Sequence, residues 1–166
     1  MGIKISWGKV AGAAKYRIFY KANGESNWHK AGETTSTSFT WTKAKSNTKY
    51  TFAVRCIDKD GKTYTSASSA SSKSLKYIAA PKISKLTKTA SGIQIKWSKV
   101  AGAVNYKVFR KTADGNWKAV GTTTSTSFVD KTAKKGTKYS YTVRCVSKDG
   151  KSYTSAYDSK GKTITR

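Results

Sequence analysis

Residue types that perform acid–base or metal chemistry are scarce in this chain and stand apart from one another. His29 is the one histidine, follows Trp28 in a hairpin, and is replaced by Lys118 in an internal repeat. A general base needs hydrogen-bonding reach to its proton and a tuned environment; His29 reads instead as an ordinary surface side chain. Among the eight acidic residues, Asp60 and Asp149 fall in Asp-Gly turns, Glu33 is matched by a Thr in the other copy, and no carboxylate pair recurs. Hydrolysis by paired carboxylates requires two such groups at a fixed separation. Cys56 and Cys145 follow Val54 and Val143 on alternating rows, the placement of a thiol buried as a small hydrophobe. One Cys per repeat gives neither a disulfide framework nor a metal-ligand spacing. The sequence therefore predicts no catalytic residue, no cofactor and no metal, and the protein is not expected to be an enzyme.

Cations and aromatics are plentiful. Lys and Arg number 33 against 8 Asp and Glu, a net charge of +25, beside ten Tyr, five Trp and five Phe. Such a field draws polyanions, whether nucleic acid, anionic glycan, teichoic acid or an anionic bilayer, irrespective of fold. The lysines are spread along strands and loops without the compact block of a nucleic-acid-binding arm. Guarding exposed strand edges explains many of them, but not the near-absence of acids. Alternation adds a second feature. If Tyr16 and Ile18, and Tyr106 and Val108, face a core, then Arg17, Phe19, Lys107 and Phe109 face outward, and on a later run Arg55 and Arg144 do the same.

The elements that must position these side chains come in two copies. Ile5 to Phe19 returns as Ile95 to Phe109, Gly-Glu-Thr-Thr-Ser-Thr-Ser-Phe39 as Gly-Thr-Thr-Thr-Ser-Thr-Ser-Phe128, and Thr48-Lys-Tyr50 as Thr137-Lys-Tyr139. Self-similarity at this spacing predicts two domains, residues 1–78 and 79–166. Asn23-Gly24, Asp60-Gly61, Asp114-Gly115 and Asp149-Gly150 separate short runs of period two, the pattern of hairpins and half-buried antiparallel strands. In-phase Trp7 and Trp97 are assigned to the cores. Pro81 to Leu86 reads as an opening edge strand with no counterpart before Ile3, so the first copy is expected to lack its first strand and the chain to be a monomeric piece of a larger multidomain protein. No apolar run approaches the roughly 18 residues of a membrane span, and Met1-Gly2 leads into a strand pattern with no signal peptide. Membrane insertion is not expected.

Three signatures carry a family resemblance: a Trp ending a strand (Trp7, Trp97), Tyr-x-Ile/Val on the next (Tyr16 to Ile18, Tyr106 to Val108), and Thr-x-Tyr-x-aromatic-x-Val on a later one (Thr48 to Val54, Thr137 to Val143). Together they resemble the fibronectin type III module, nearest in style to the Lys- and Thr-rich tandem versions of Gram-positive surface and secreted proteins. The resemblance implies an all-β chain of two tandem fibronectin type III-like, immunoglobulin-like β-sandwiches, extracellular or associated with the cell surface or cell wall. It implies a tyrosine corner, with the Tyr50 and Tyr139 hydroxyls on backbone groups a few residues upstream. The loops reading Asp58-Lys-Asp-Gly-Lys62 and Ser147-Lys-Asp-Gly-Lys151 lack the Arg-Gly-Asp of integrin-binding relatives.

In a sheet of this family the outward rows become neighbours, flanked by the strand of Trp28 or Trp117. Each module would present Arg17, Phe19, Trp28 and Arg55, or Lys107, Phe109, Trp117 and Arg144. Two readings stand for this strip: aromatics covering one another beneath cation stems, or a platform that stacks a sugar or base and pairs its anionic group. For the whole chain the expected function is a non-catalytic structural and adhesive spacer whose basic surface contacts anionic polymers. The alternatives are a carbohydrate-binding accessory module, and non-specific nucleic-acid binding without a groove-reading element.

Overall fold

In a computed structural model, which describes residues 2–62 and 72–166, the alternating runs become thirteen β-strands, with no helix among the described residues. The chain divides into two compact units, Met1–Tyr77 and Ile78–Arg166. The division lies one residue before the boundary drawn from the repeat, and Ile78 is packed in the second unit's core.

In the first unit, β1 (Ile3–Ser6) pairs with β4 (Ser38–Trp41), and a four-stranded sheet runs β3 (His29–Thr34), β2 (Lys15–Ala22), β5 (Thr48–Ile57), β6 (Lys73–Tyr77). In the second, β7 (Ile83–Thr89), β8 (Gly92–Trp97) and β11 (Ser127–Asp130) form a three-stranded sheet. Its partner sheet runs β10 (Lys118–Thr123), β9 (Asn105–Lys111), β12 (Lys138–Val146), β13 (Lys162–Thr165). Pairing is antiparallel throughout. Each unit is thus a tandem copy of one sandwich, an all-β fibronectin type III-like fold. Period two does the sorting: on β9, Tyr106 and Val108 are buried while Lys107 and Phe109 are half-buried on the other face.

The extra strand has a measurable effect. With β7 laid along β8, Ile95 is 0 % and Val100 8 % exposed; in the first unit, where β1 pairs only with β4 among the described residues, Val10 is 39 % exposed and Ile5 half-buried. Loops are anchored by tyrosine hydroxyls. Lys45 and Lys134 donate their backbone N–H to Tyr50 and Tyr139 at 2.9 and 3.2 Å, the corner expected from the resemblance, and Val10 and Val100 donate to Tyr16 and Tyr106 in the same way. Gly24 and Gly150 take φ of +91° and +71° in their turns, a region open to glycine without steric cost.

Three inward positions distinguish the cores. In the first unit they are Tyr20, Trp41 and Phe52, an aromatic cluster with Trp41 4.2 Å from Tyr20 and 5.6 Å from Phe52 between ring centroids. In the second they are Arg110, Asp130 and Tyr141. Arg110 Nη1 and the Tyr141 hydroxyl each donate to Asp130 Oδ2 at 2.7 Å, and the Thr132 amide and hydroxyl donate to Oδ1. Burial pushes the Asp130 carboxyl up, but hydrogen bonds from Thr132, Tyr141 and Arg110 outweigh it and hold the group below its usual range. Burial and the Asp130 charge push the Tyr141 phenol well above its ordinary value.

Candidate functional site

On the outer face of the second unit's four-stranded sheet, β9 and β12 are in register with Phe109 opposite Thr142 and Lys107 opposite Arg144. The outward row of each strand thus forms one continuous surface. Trp117 immediately precedes β10, and its indole lies over Gly161 at the entrance to β13. A Cβ on Gly161 would stand 2.7 Å from Trp117 Cη2 and 2.6 Å from the Tyr141 carbonyl oxygen, so this close approach of the ring requires glycine. The return from β12 to β13 supplies the other wall. Tyr153 bridges to Val146, Cys145 N–H is capped by the Ser155 hydroxyl at 2.9 Å, and the Thr142 hydroxyl donates to the Asp158 carbonyl at 2.8 Å.

The result is a cleft of about 120 Å³, open to solvent and lined by Phe109, Trp117, Thr142, Arg144, Tyr153 and Tyr157. Arg144 is its electrostatic centre. Its Nε donates to the Ser155 carbonyl at 3.1 Å, and its guanidinium lies 3.9 Å from the ring centroid of Tyr153 and 5.2 Å from that of Tyr157. Lys107 stands 5.9 Å from Tyr153 and donates to the Gly150 carbonyl, and Lys111 stands 5.1 Å over Trp117.

The first unit arranges its strip differently. Arg55 lies 5.4 Å over Phe19 and Lys21 5.1 Å over Trp28. Arg17, however, is bound to Glu33 at 2.7 Å, as are Lys15 at 3.0 Å and Lys30 at 2.8 Å. Hydrogen bonds from Lys30, Lys15 and Arg17 hold the Glu33 carboxyl down at about 2. Because the second unit has Thr122 in that place, Lys107 keeps its charge free of a carboxylate. Of the eight strip residues, Phe109, Trp117 and Arg144 therefore share one cleft with Lys107 beside it; Phe19 and Arg55 stack, Trp28 sits under a lysine, and Arg17 serves an ion-pair cluster. Tyr153 and Tyr157 were not among the residues picked out by alternation, because they lie outside the regular strands. Their one sequence signal is the tetrapeptide Tyr-Thr-Ser-Ala, found at 64–67 and 153–156; the first copy lies outside the described residues.

The other reactive types are occupied structurally. Cys56 and Cys145 are buried free thiols, and burial pushes the Cys145 thiol up. Asp58 and Asp149 accept backbone N–H groups of their own turns. His29 lies 3.4 Å from Glu25 on the surface. Among the described residues no group of three or more His, Cys, Asp or Glu is arranged to hold a metal ion, and no helix is long and apolar enough to cross a membrane.

Fold and surface together define a fibronectin type III-like sandwich pair with a solvent-open aromatic and cationic cleft. Residues 78–158 match the family described as GH85 endohexosaminidases, C-terminal domain. Among solved structures, a chain titled as a cytokine receptor complex aligns at 12% identity over 98% of this chain and 89% of its own, with a TM-score of 0.52; at that identity the likeness is one of fold. The segment of two fibronectin type III domains from chicken tenascin aligns at 18% identity over 98% and 91%, with a TM-score of 0.43. No curated protein matches the sequence.

Proposed function

We propose that this chain is a non-catalytic accessory segment of an extracellular protein, a sandwich pair that spaces its neighbours and holds them at anionic polymers through its basic surface. The observation that carries this is the state of its cations. Among the described residues only Lys15, Arg17, Lys30 and Arg110 have a carboxylate within salt-bridge distance, out of 33 Lys and Arg. The others have no carboxylate within that distance, and a surface of one sign raises the local concentration of an oppositely charged polymer. The likeness of the second unit to a C-terminal domain of endohexosaminidases supports an accessory position in a glycan-directed protein.

Binding of the full chain to a wall polymer, a sulfated glycan, a neutral polysaccharide and duplex DNA, each at low and high salt, tests this reading. Similar affinity for every anion, released at high salt and absent for the neutral polymer, is the expected pattern. Binding to no anion at low salt would leave the segment a plain spacer. Selective retention of DNA at high salt would replace the reading with a nucleic-acid one. A carbohydrate-binding role is the second reading, favoured by the convergence of Phe109, Trp117 and Arg144 on one cleft.

A further inference from the structure

We infer that the cleft of the second unit is a binding site for a single acidic sugar residue, recognised by its carboxylate and by the C–H face of its ring. This goes beyond charge-driven adhesion, because it assigns a shaped site to six side chains. Size sets the first limit: at about 120 Å³ the cleft is smaller than the roughly 300–1,000 Å³ typical of ligand sites, so it takes at most one ring, partly exposed, and not a length of polymer. Shape sets the second. Phe109 and Tyr153 meet at 49° with centroids 6.1 Å apart, so the walls form a concavity suited to a puckered ring and not the parallel platform on which a flat base stacks.

Charge sets the third. An aromatic cage of this kind ordinarily takes a cation, such as a quaternary ammonium. Here the faces of Tyr153 and Tyr157 are already covered by Arg144, and Lys107 and Lys111 stand beside the cleft. No carboxylate lines it. A second cation is repelled and an anion attracted. Arg144 is also held in advance: its Nε is committed to Ser155 and its guanidinium lies against the rings of Tyr153 and Tyr157, while its terminal nitrogens have no hydrogen-bond partner among the described residues. A guanidinium so fixed presents a fork matched to a carboxylate, which a lysine cannot reproduce.

The test is a titration of the full chain, at about 0.5 M salt so that diffuse surface attraction is screened, followed by amide and indole N–H signals. The probes are a trisaccharide ending in glucuronic acid, one ending in N-acetylneuraminic acid, a neutral trisaccharide of the same length, and a dinucleotide. Saturable shifts of the Trp117 indole and the Gly161 amide are expected with one or both acidic sugars, and binding about tenfold weaker or less with the neutral one, the worth of one charged hydrogen-bond pair. Arg144→Lys, which keeps charge and stem, is expected to remove about that factor. Tyr153→Ala, at a residue 48 % exposed and so safe for folding, weakens binding of the acidic sugar. Equal binding of the neutral sugar, shifts with the dinucleotide alone, or no saturable shift would each overturn the assignment. Retention of the wild-type chain on dextran sulfate, a polyanion without carboxylates, is read separately at low salt, so failure of the cleft and failure of the adhesive reading are distinguishable.

Discussion

Replacing Asp130 by Asn removes one charge from a site that is 2 % exposed and keeps the shape of the side chain. Arg110 and Tyr141 donate to one oxygen of this carboxylate and Thr132 to the other; the amide keeps only one oxygen, so one of these sets meets an NH2 donor in place of its acceptor, and Arg110 loses its countercharge. The Tyr141 hydroxyl is on a side chain with no exposure at all, while the Arg110 side chain is 22% exposed. Breaking a fully buried pair costs about 3–5 kcal/mol; partial access of water to Arg110 places this one at the lower end, about 2–3 kcal/mol. In a domain of this size that corresponds to a fall in Tm on the order of 10–20 °C. Urea unfolding of the full chain, followed through resolved amide signals of β12, reports the second unit separately from the first. The triple variant Arg110→Tyr/Asp130→Trp/Tyr141→Phe installs the first unit's own aromatic solution and is expected to recover most of the loss, since apolar replacements of buried ion pairs are often neutral or stabilising. A cost below about 1 kcal/mol for Asp130→Asn would refute the reasoning, because the carboxylate would then be organising nothing.

Other expectations are narrower. Gly121→Ala drives a Cβ to 2.3 Å from the Phe128 ring and is expected to cost the second unit about 1–3 kcal/mol by overpacking, read as a lower Tm. Tyr139→Phe deletes the corner hydrogen bond from Lys134 N–H at a cost of about 1–2 kcal/mol, by urea titration. Glu33 has a folded-state value of about 2, below the unfolded value of about 4.3. Its contribution is therefore present above pH 4.3 and is lost as pH falls toward 2. Glu33→Thr, the second unit's solution, flattens that acid limb in pH-dependent unfolding of β2 and β3.

How much was legible in the sequence depends on whether a signal is periodic. The outward placement of Phe109 and Arg144 and the burial of Tyr141, Val143 and Cys145 follow from alternation. Tyr50 and Tyr139 follow from a motif whose physical content is one hydroxyl accepting one backbone N–H. Arg110 fell in phase with the inward residues Tyr106 and Val108, yet a charge in that row reads as outward until its partner is known. Asp130 is two strands away, and only the joint replacement of Tyr20, Trp41 and Phe52 in the other copy signals the network. Tyr153 and Tyr157 lie on irregular backbone placed by Ser155 and Thr142 hydrogen bonds, which have no period to detect. Arg17 was correctly placed outward, but its capture by Glu33 depends on the side-chain geometry of β2 against β3.

The most direct measurement of the central claim is the affinity of the full chain for a long sulfated glycan across a range of salt concentrations. Neutralising polymer charges releases counterions, so the logarithm of the affinity is expected to fall linearly with that of salt, with a slope equivalent to several contacts. Affinity that does not change with salt, or no binding at low salt, would contradict the account.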